Sequence, residues 1–204
     1  MSDMCNYLEN ELVDHVLRNS AFASPTVVYV ALLTADPTET GVTTNEISGG
    51  GYARQAATFD APTDGVTQNT YDIEFPQATA DWGTVSHVLL MDAATLGNPL
   101  FHKILSSPIT DEAFTSNFVV AVSLDHANII TDSEIVTSSD GLTTYYAGRD
   151  YTMNNTNGTI TVLSAGLMAD ATSYLIDYRF ANSKVITTND IFKIPIGSLK
   201  VTYK

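Results

Sequence analysis

Met4, Leu8, Leu12 and Val16 recur at every fourth position across residues 3–19, and Val13 and Leu17 widen the stripe. That spacing predicts one amphipathic helix. Ser2 or Asp3 stands where a cap belongs, and Asn19-Ser20 follows the point where the pattern stops. The stripe has two uses open to it: packing against the protein's own sheet, or docking on a neighbouring subunit. Leu8, Leu12 and Val16 are therefore the candidate assembly-interface residues.

The rest of the chain alternates between short strand patterns and turn residues. Thr26–Thr34, TVVYVALLT, is a β-branched run after Pro25. YARQAATFDAP ends in the turn chemistry of Pro62-Thr63-Asp64-Gly65. In NTYDIEFP, Tyr71, Ile73 and Phe75 fall on one face of a strand, with Asp72 and Glu74 on the other. TVSHVLLMDA is more continuously apolar and suits a central strand, and LFHKIL follows after a turn. DIFKIPIGSLKVTYK predicts two short strands around Pro195 and Gly197.

Between roughly Thr110 and Lys184 the turns come closer together, at SSDG, AGRD, NNTNG and SAG. The short strands SEIVT, TTYYA, YTM, TITVL and SYLIDYRF lie among them. Strands of about five residues at intervals near ten predict a small sandwich or barrel. The expected fold is mainly β: a sandwich or jelly-roll-like host domain over 1–110 and 184–204 with one N-terminal helix. A small β-domain at 111–183 is inserted in a surface loop, where insertions are tolerated.

Composition narrows the function classes. The net charge is −14, and the nine basic residues are scattered. Nucleic acid is not an expected partner, because its affinity comes mainly from phosphate neutralisation. No apolar run approaches the roughly 18–20 residues of a membrane span. The N-terminal stretch lacks a basic region followed by an apolar one, so no secretory signal is expected. The single cysteine, Cys5, allows no internal disulfide and no cysteine-built zinc site.

Candidate chemistry is sparse. The run Gly49-Gly50-Gly51 could cradle a phosphate, but Tyr52-Ala53 follows where a P-loop needs Lys-Ser/Thr. A dinucleotide fingerprint needs a helix opening after the loop, and none is predicted. The glycines are better read as a flexible hinge leading Tyr52 and Arg54 into a strand. His15, His87, His102 and His126 lie in four different elements, without the spacing of a metal motif. Asp132, Glu134, Asp140 and Asp150 lie among turns but miss a calcium-loop pattern. No catalytic, cofactor or metal residues are expected. Tyr52, Arg54 and Trp82 are expected to be structural.

The segments NYLENELVDHVLRN, YVALLTADPTETG, EISGGGYARQAATF, IEFPQATADWGTVSHVLLMDA, GNPLFHKIL and DIFKIPIGSLKVTY resemble small structural proteins of tailed bacteriophages. Such proteins are labelled tail-fibre-like or virion structural proteins. The resemblance spans residues 1–109 and 189–204, and Tyr52-Ala53-Arg54 with Trp82-Gly83-Thr84 is its most specific part. The stretch GRDYTMNNTNGTITVL resembles small β-modules at surface positions of phage structural proteins. The resemblance implies a virion component without enzymatic activity, made in the bacterial host cytoplasm and found on the capsid surface or tail. The first expectation is a capsid decoration (cement) protein bound to the major capsid protein. A tail-fibre or tail-adaptor protein involved in host attachment is the second, and a carbohydrate-binding accessory module the third. A homo-oligomer is expected, a trimer by analogy with decoration proteins.

Overall fold

The computed structural model describes residues 4–202. Strand accounts for 39% and helix for 7%, so the chain is mainly β with one N-terminal helix. Its several sheets are open, in the manner of a β-sandwich. The chain divides into two compact units, one running through Leu105 and resuming at Ser183, the other Ser106–Asn182.

In chain order the elements are α1 (Asn6–Arg18), β1 (Val28–Leu33), β2 (Gln55–Ala57), β3 (Val66–Gln68), β4 (Ile73–Glu74), β5 (Gly83–Val85), β6 (His87–Met91) and β7 (Pro99–Ile104). The second unit holds β8 (Ser106–Thr115), β9 (Val122–Ser123), β10 (Ile135–Ser138), β11 (Thr144–Tyr145), β12 (Tyr151–Asn154), β13 (Thr159–Val162) and β14 (Ser173–Ala181). The first unit closes with β15 (Lys184–Ile186), β16 (Lys193–Ile194) and β17 (Lys200–Thr202).

The first unit is built on a four-stranded antiparallel sheet ordered β2-β1-β6-β7. Val30, Leu32, Val88 and Leu90 face a core shared with Phe75, Trp82, Ile186 and Phe192. Ala31, Leu33, Leu89 and Met91 are buried on the opposite face with Cys5. Burial on both faces is why β1 and β6 read as continuous apolar runs instead of alternating. The returning chain is laced onto earlier strands, with β15 pairing β5, β16 pairing β4 and β17 pairing β3, all antiparallel.

Helix α1 begins at Asn6, later than the sequence pattern suggests. Cys5 takes the N-cap position with an extended backbone and no side-chain cap, while Asn19 ends the helix in the left-handed region. Ser2 and Asp3, the expected caps, lie outside the described residues. The predicted strand around Ile73 is also corrected. Ile73 and Phe75 are buried as expected, but Tyr71 is 73% exposed. The Asn69 amide donates to the carbonyls of Tyr71 and Pro195, which bends the chain ahead of a strand only two residues long.

The second unit has a four-stranded sheet ordered β11-β10-β14-β8 and a three-stranded sheet β12-β13-β9. Phe114, Val136, Tyr151, Ile160, Tyr174 and Ile176 are central to its core. Its first strand, β8, is ten residues long and is absent from the sequence reading. It is an edge strand with Pro108, Asp111 and Glu112 in it, so no apolar alternation announces it. A bulge opposite Asp177 lets that carboxylate accept from the Asp111 backbone N–H, where Asp111 takes φ 55.

Candidate functional site

The glycine run is a left-handed turn with φ of 71, 55 and 78 at Gly49, Gly50 and Gly51. Where the sequence suggests a flexible hinge, the structure shows a turn that receives an indole. The Gly50 carbonyl accepts from Trp82 Nε1 at 2.9 Å and from the Thr79 backbone N–H at 2.9 Å. A Cβ on Gly50 would sit 3.0 Å from Trp82 Nε1, so the indole approaches closely only because glycine is there.

Tyr52 follows the turn and is held on every side. Its ring stacks on Phe75 with centroids 6.1 Å apart and meets Trp82 edge-on at 5.5 Å. Its hydroxyl accepts from the Leu32 backbone N–H at 2.9 Å and donates to Glu46 Oε1 at 3.1 Å. Burial above all drives the phenol well beyond its ordinary pKa, and Glu46 adds to the shift.

Arg54 sits just before β2 with its side chain only 6% exposed. Nε and Nη2 donate to the two oxygens of Glu46, each at 2.7 Å. Nη1 donates to the carbonyls of Ala93 and Leu96. The fork-on-carboxylate geometry favours the charged guanidinium, and the Glu46 hydrogen bond raises its pKa. With its donors engaged inside the fold, Arg54 has no free face to offer an anion. Glu46 is absent from the sequence reading, since nothing in the spacing of Glu46 and Arg54 announces their pairing.

The remaining candidates are dispersed. Burial, with Glu9 and Glu39 nearby, pushes the Cys5 thiol up to about 12, so it holds almost no thiolate at neutral pH. His87 and His102 lie on the paired strands β6 and β7, closer than their sequence separation suggests. His87 Nδ1 is 2.9 Å from Ser86 Oγ, and His102 Nδ1 is 3.6 Å from Asp36 Oδ1. His126 stacks on Phe180 at 3.9 Å in the second unit, and His15 contacts the Ser20 carbonyl on α1. Among the described residues no group of three His, Cys, Asp or Glu side chains is placed to hold a metal.

Asp140 and Asp150 serve turns of the second unit, whereas Glu134 keeps one buried oxygen without a hydrogen-bond partner. Asp140 accepts from Ser138 Oγ and the Leu142 N–H. Asp150, wholly buried, accepts from Arg149 and from the backbone N–H groups of Tyr146 and Leu167. The Arg149 guanidinium, followed by those N–H bonds, holds the Asp150 carboxyl well below the usual range.

The stripe on α1 divides between two environments. Leu8 is buried in the core of the first unit and Leu12 packs against that core. Val16 is 74% exposed, and Val13 and Leu17 are exposed beside it. The apolar face left open to a partner is therefore Val13, Val16 and Leu17.

Residues 3–124 match the family described as Podophage GP4 fiber I protein gp80. The matched stretch runs from α1 through β9; it passes the expected boundary at 109 and leaves 189–204 outside. No curated protein matches the chain.

Proposed function

The chain belongs to the family of the podophage GP4 fiber I protein gp80, and on that premise we propose that it is a non-enzymatic fibre component of a bacteriophage particle, attached through its first unit. The family match carries this reading, because the family is described as a fibre protein of a podophage. It supports the fibre alternative over the capsid-decoration role ranked first from sequence. The non-enzymatic reading is supported by how the candidate polar groups are used: Arg54, Tyr52 and Glu46 satisfy one another inside the fold.

The exposed face of α1 is the attachment surface in this reading. Val13, Val16 and Leu17 lie together on a helix whose other side is anchored by Leu8 and Leu12. Covering such a face on assembly removes apolar area from water. Its occupant is another virion protein or a second copy of the chain within a homo-oligomer. The test is to quantify the chain in purified particles by mass spectrometry against the major capsid protein. A ratio of a few per cent supports the fibre reading, a ratio near one to one moves the protein to the capsid surface, and absence defeats the virion role.

A further inference from the structure

One end of the second unit carries five exposed apolar side chains on loops that its strand register brings together. Thr115 at the end of β8 pairs with Ser173 at the start of β14, and Ser138 at the end of β10 pairs with Tyr174. The chain enters and leaves the unit at the opposite end, where Ser106 pairs with Ala181. The loops after β8, between β10 and β11, and before β14 therefore share the end remote from those connections. On them stand Val119 (88% exposed), Val120, Leu142 (85% exposed) and Leu167. Tyr146 follows β11 as that strand runs back from this end, and it is tied to the Leu167 loop because its backbone N–H and that of Leu167 bond the two oxygens of the same Asp150 carboxylate.

Three polar side chains of this end, Asn117, Asp140 and Asp170, hold its loops. The Asn117 side chain accepts from the N–H groups of Val119 and Val120. Asp170 accepts from the Phe118 N–H, and Asp140 from that of Leu142. Each exposed apolar residue is thus presented by a loop tied to its own unit. A sugar would find Asn117, Asp140 and Asp170 already accepting from these loops and one face of the Tyr146 ring covered by the Arg149 guanidinium, 4.8 Å from its centre. Exposed apolar side chains in a freely soluble protein favour association, and a partner that covers them permanently removes that tendency.

Charge selects the partner. Residues 106–182 carry nine carboxylate side chains against two guanidinium groups, Arg149 and Arg179, and no lysine. A second copy would meet this end with the same sign of charge and be repelled. We propose that Val119, Val120, Leu142, Tyr146 and Leu167 form a docking surface for a different protein of the same particle, apolar at its centre and basic at its rim. The proposal rests on the virion reading and adds a second contact, independent of the α1 face.

The test compares particles assembled in cells that supply the wild-type chain, the Leu142→Asp/Leu167→Asp variant or the Leu142→Met/Leu167→Met variant. The chain is quantified by mass spectrometry against the major capsid protein, and each isolated variant is checked for wild-type circular dichroism and melting. Loss of two apolar anchors lowers incorporation of the Asp variant about tenfold or more, and the Met variant is incorporated like the wild type. Equal incorporation of folded Asp variant and wild type overturns the docking surface, as does failure of a folded Met variant to be incorporated. If the Asp variant does not fold, the Val119→Asp/Val120→Asp variant takes its place with the same criteria. Binding of the isolated wild type on a glycan array, lost in the Asp variant while incorporation is unchanged, replaces the protein partner with a sugar. Absence of the wild type from particles removes the virion reading itself, and this proposal with it.

Discussion

The indole N–H of Trp82 ends on the backbone carbonyl of Gly50, 2.9 Å away, in the middle of three left-handed glycines. The contact joins the glycine turn to the corner before β5 and places a buried aromatic where a side chain on residue 50 would collide. Trp82→Ala removes the ring from the core and is expected to cost about 3–5 kcal/mol in urea unfolding. Gly50→Ala places a Cβ in the left-handed region against the indole and is expected to cost about 1–3 kcal/mol. If the Trp82 variant kept wild-type stability while losing a binding partner, the structural role would be wrong.

Glu46 and Arg54 form a pair enclosed by the fold, and removing one partner strands the other. Glu46→Ala is expected to destabilise by about 3–5 kcal/mol, because it leaves the guanidinium without its carboxylate. The Glu46→Leu/Arg54→Met double variant is expected to lose less than the two single changes summed. A double-mutant cycle in urea measures the coupling; additive effects would refute the pairing's energetic role.

Stability should fall in two steps as pH is lowered. Burial holds the His87 pKa below 6.5, opposed by Asp36 and assisted by His102. The unfolded chain therefore binds the proton first, and stability is lost as pH falls from about 6.5 through the lower folded value. Asp150 is depressed in the fold by Arg149, so its contribution is present above its unfolded value and disappears as pH drops below about 4. His87→Gln should flatten the upper step and leave the lower one, read as urea midpoints across pH.

The two sides of α1 should respond differently to substitution. Leu8→Ala, on the side packed into the core, is expected to cost about 2–5 kcal/mol. Val16→Asp, on the open side, is expected to change stability by less than about 0.5 kcal/mol while lowering incorporation into particles. Thermal melting and particle mass spectrometry separate the two effects. Normal incorporation of Val16→Asp would dismiss the helix face as an attachment surface.

How much of this was legible in the sequence depended on whether the cause was local. Strands β1 and β6 are readable because two buried faces leave an unbroken apolar run, and β10 to β14 because turn residues bracket them. Helix α1 is readable from its stripe, but which part of the stripe is buried is decided by contacts elsewhere in the chain. Strands β3 and β5 have three residues each and exist through partners about a hundred or more positions away. The Trp82 site is hidden for another reason: its partner is a backbone carbonyl, which every residue possesses. The apolar surface of the second unit is illegible because its five side chains come from four loops joined by strand register and by the Asp150 carboxylate.

The lacing of β15, β16 and β17 onto β5, β4 and β3 imposes an order on biosynthesis. A ribosome adds residues at roughly 5–20 per second, so β3 to β5 emerge well before the strands that pair with them. Residues 106–182 form a continuous stretch with its own core, made before the first unit's last strands. Until residues 184–202 arrive, three short strands lack their partners, a state open to chaperones and proteases. A chain interrupted inside the second unit can complete neither core, because Ile186, Phe192, Ile194 and Leu199 of the first core lie beyond it.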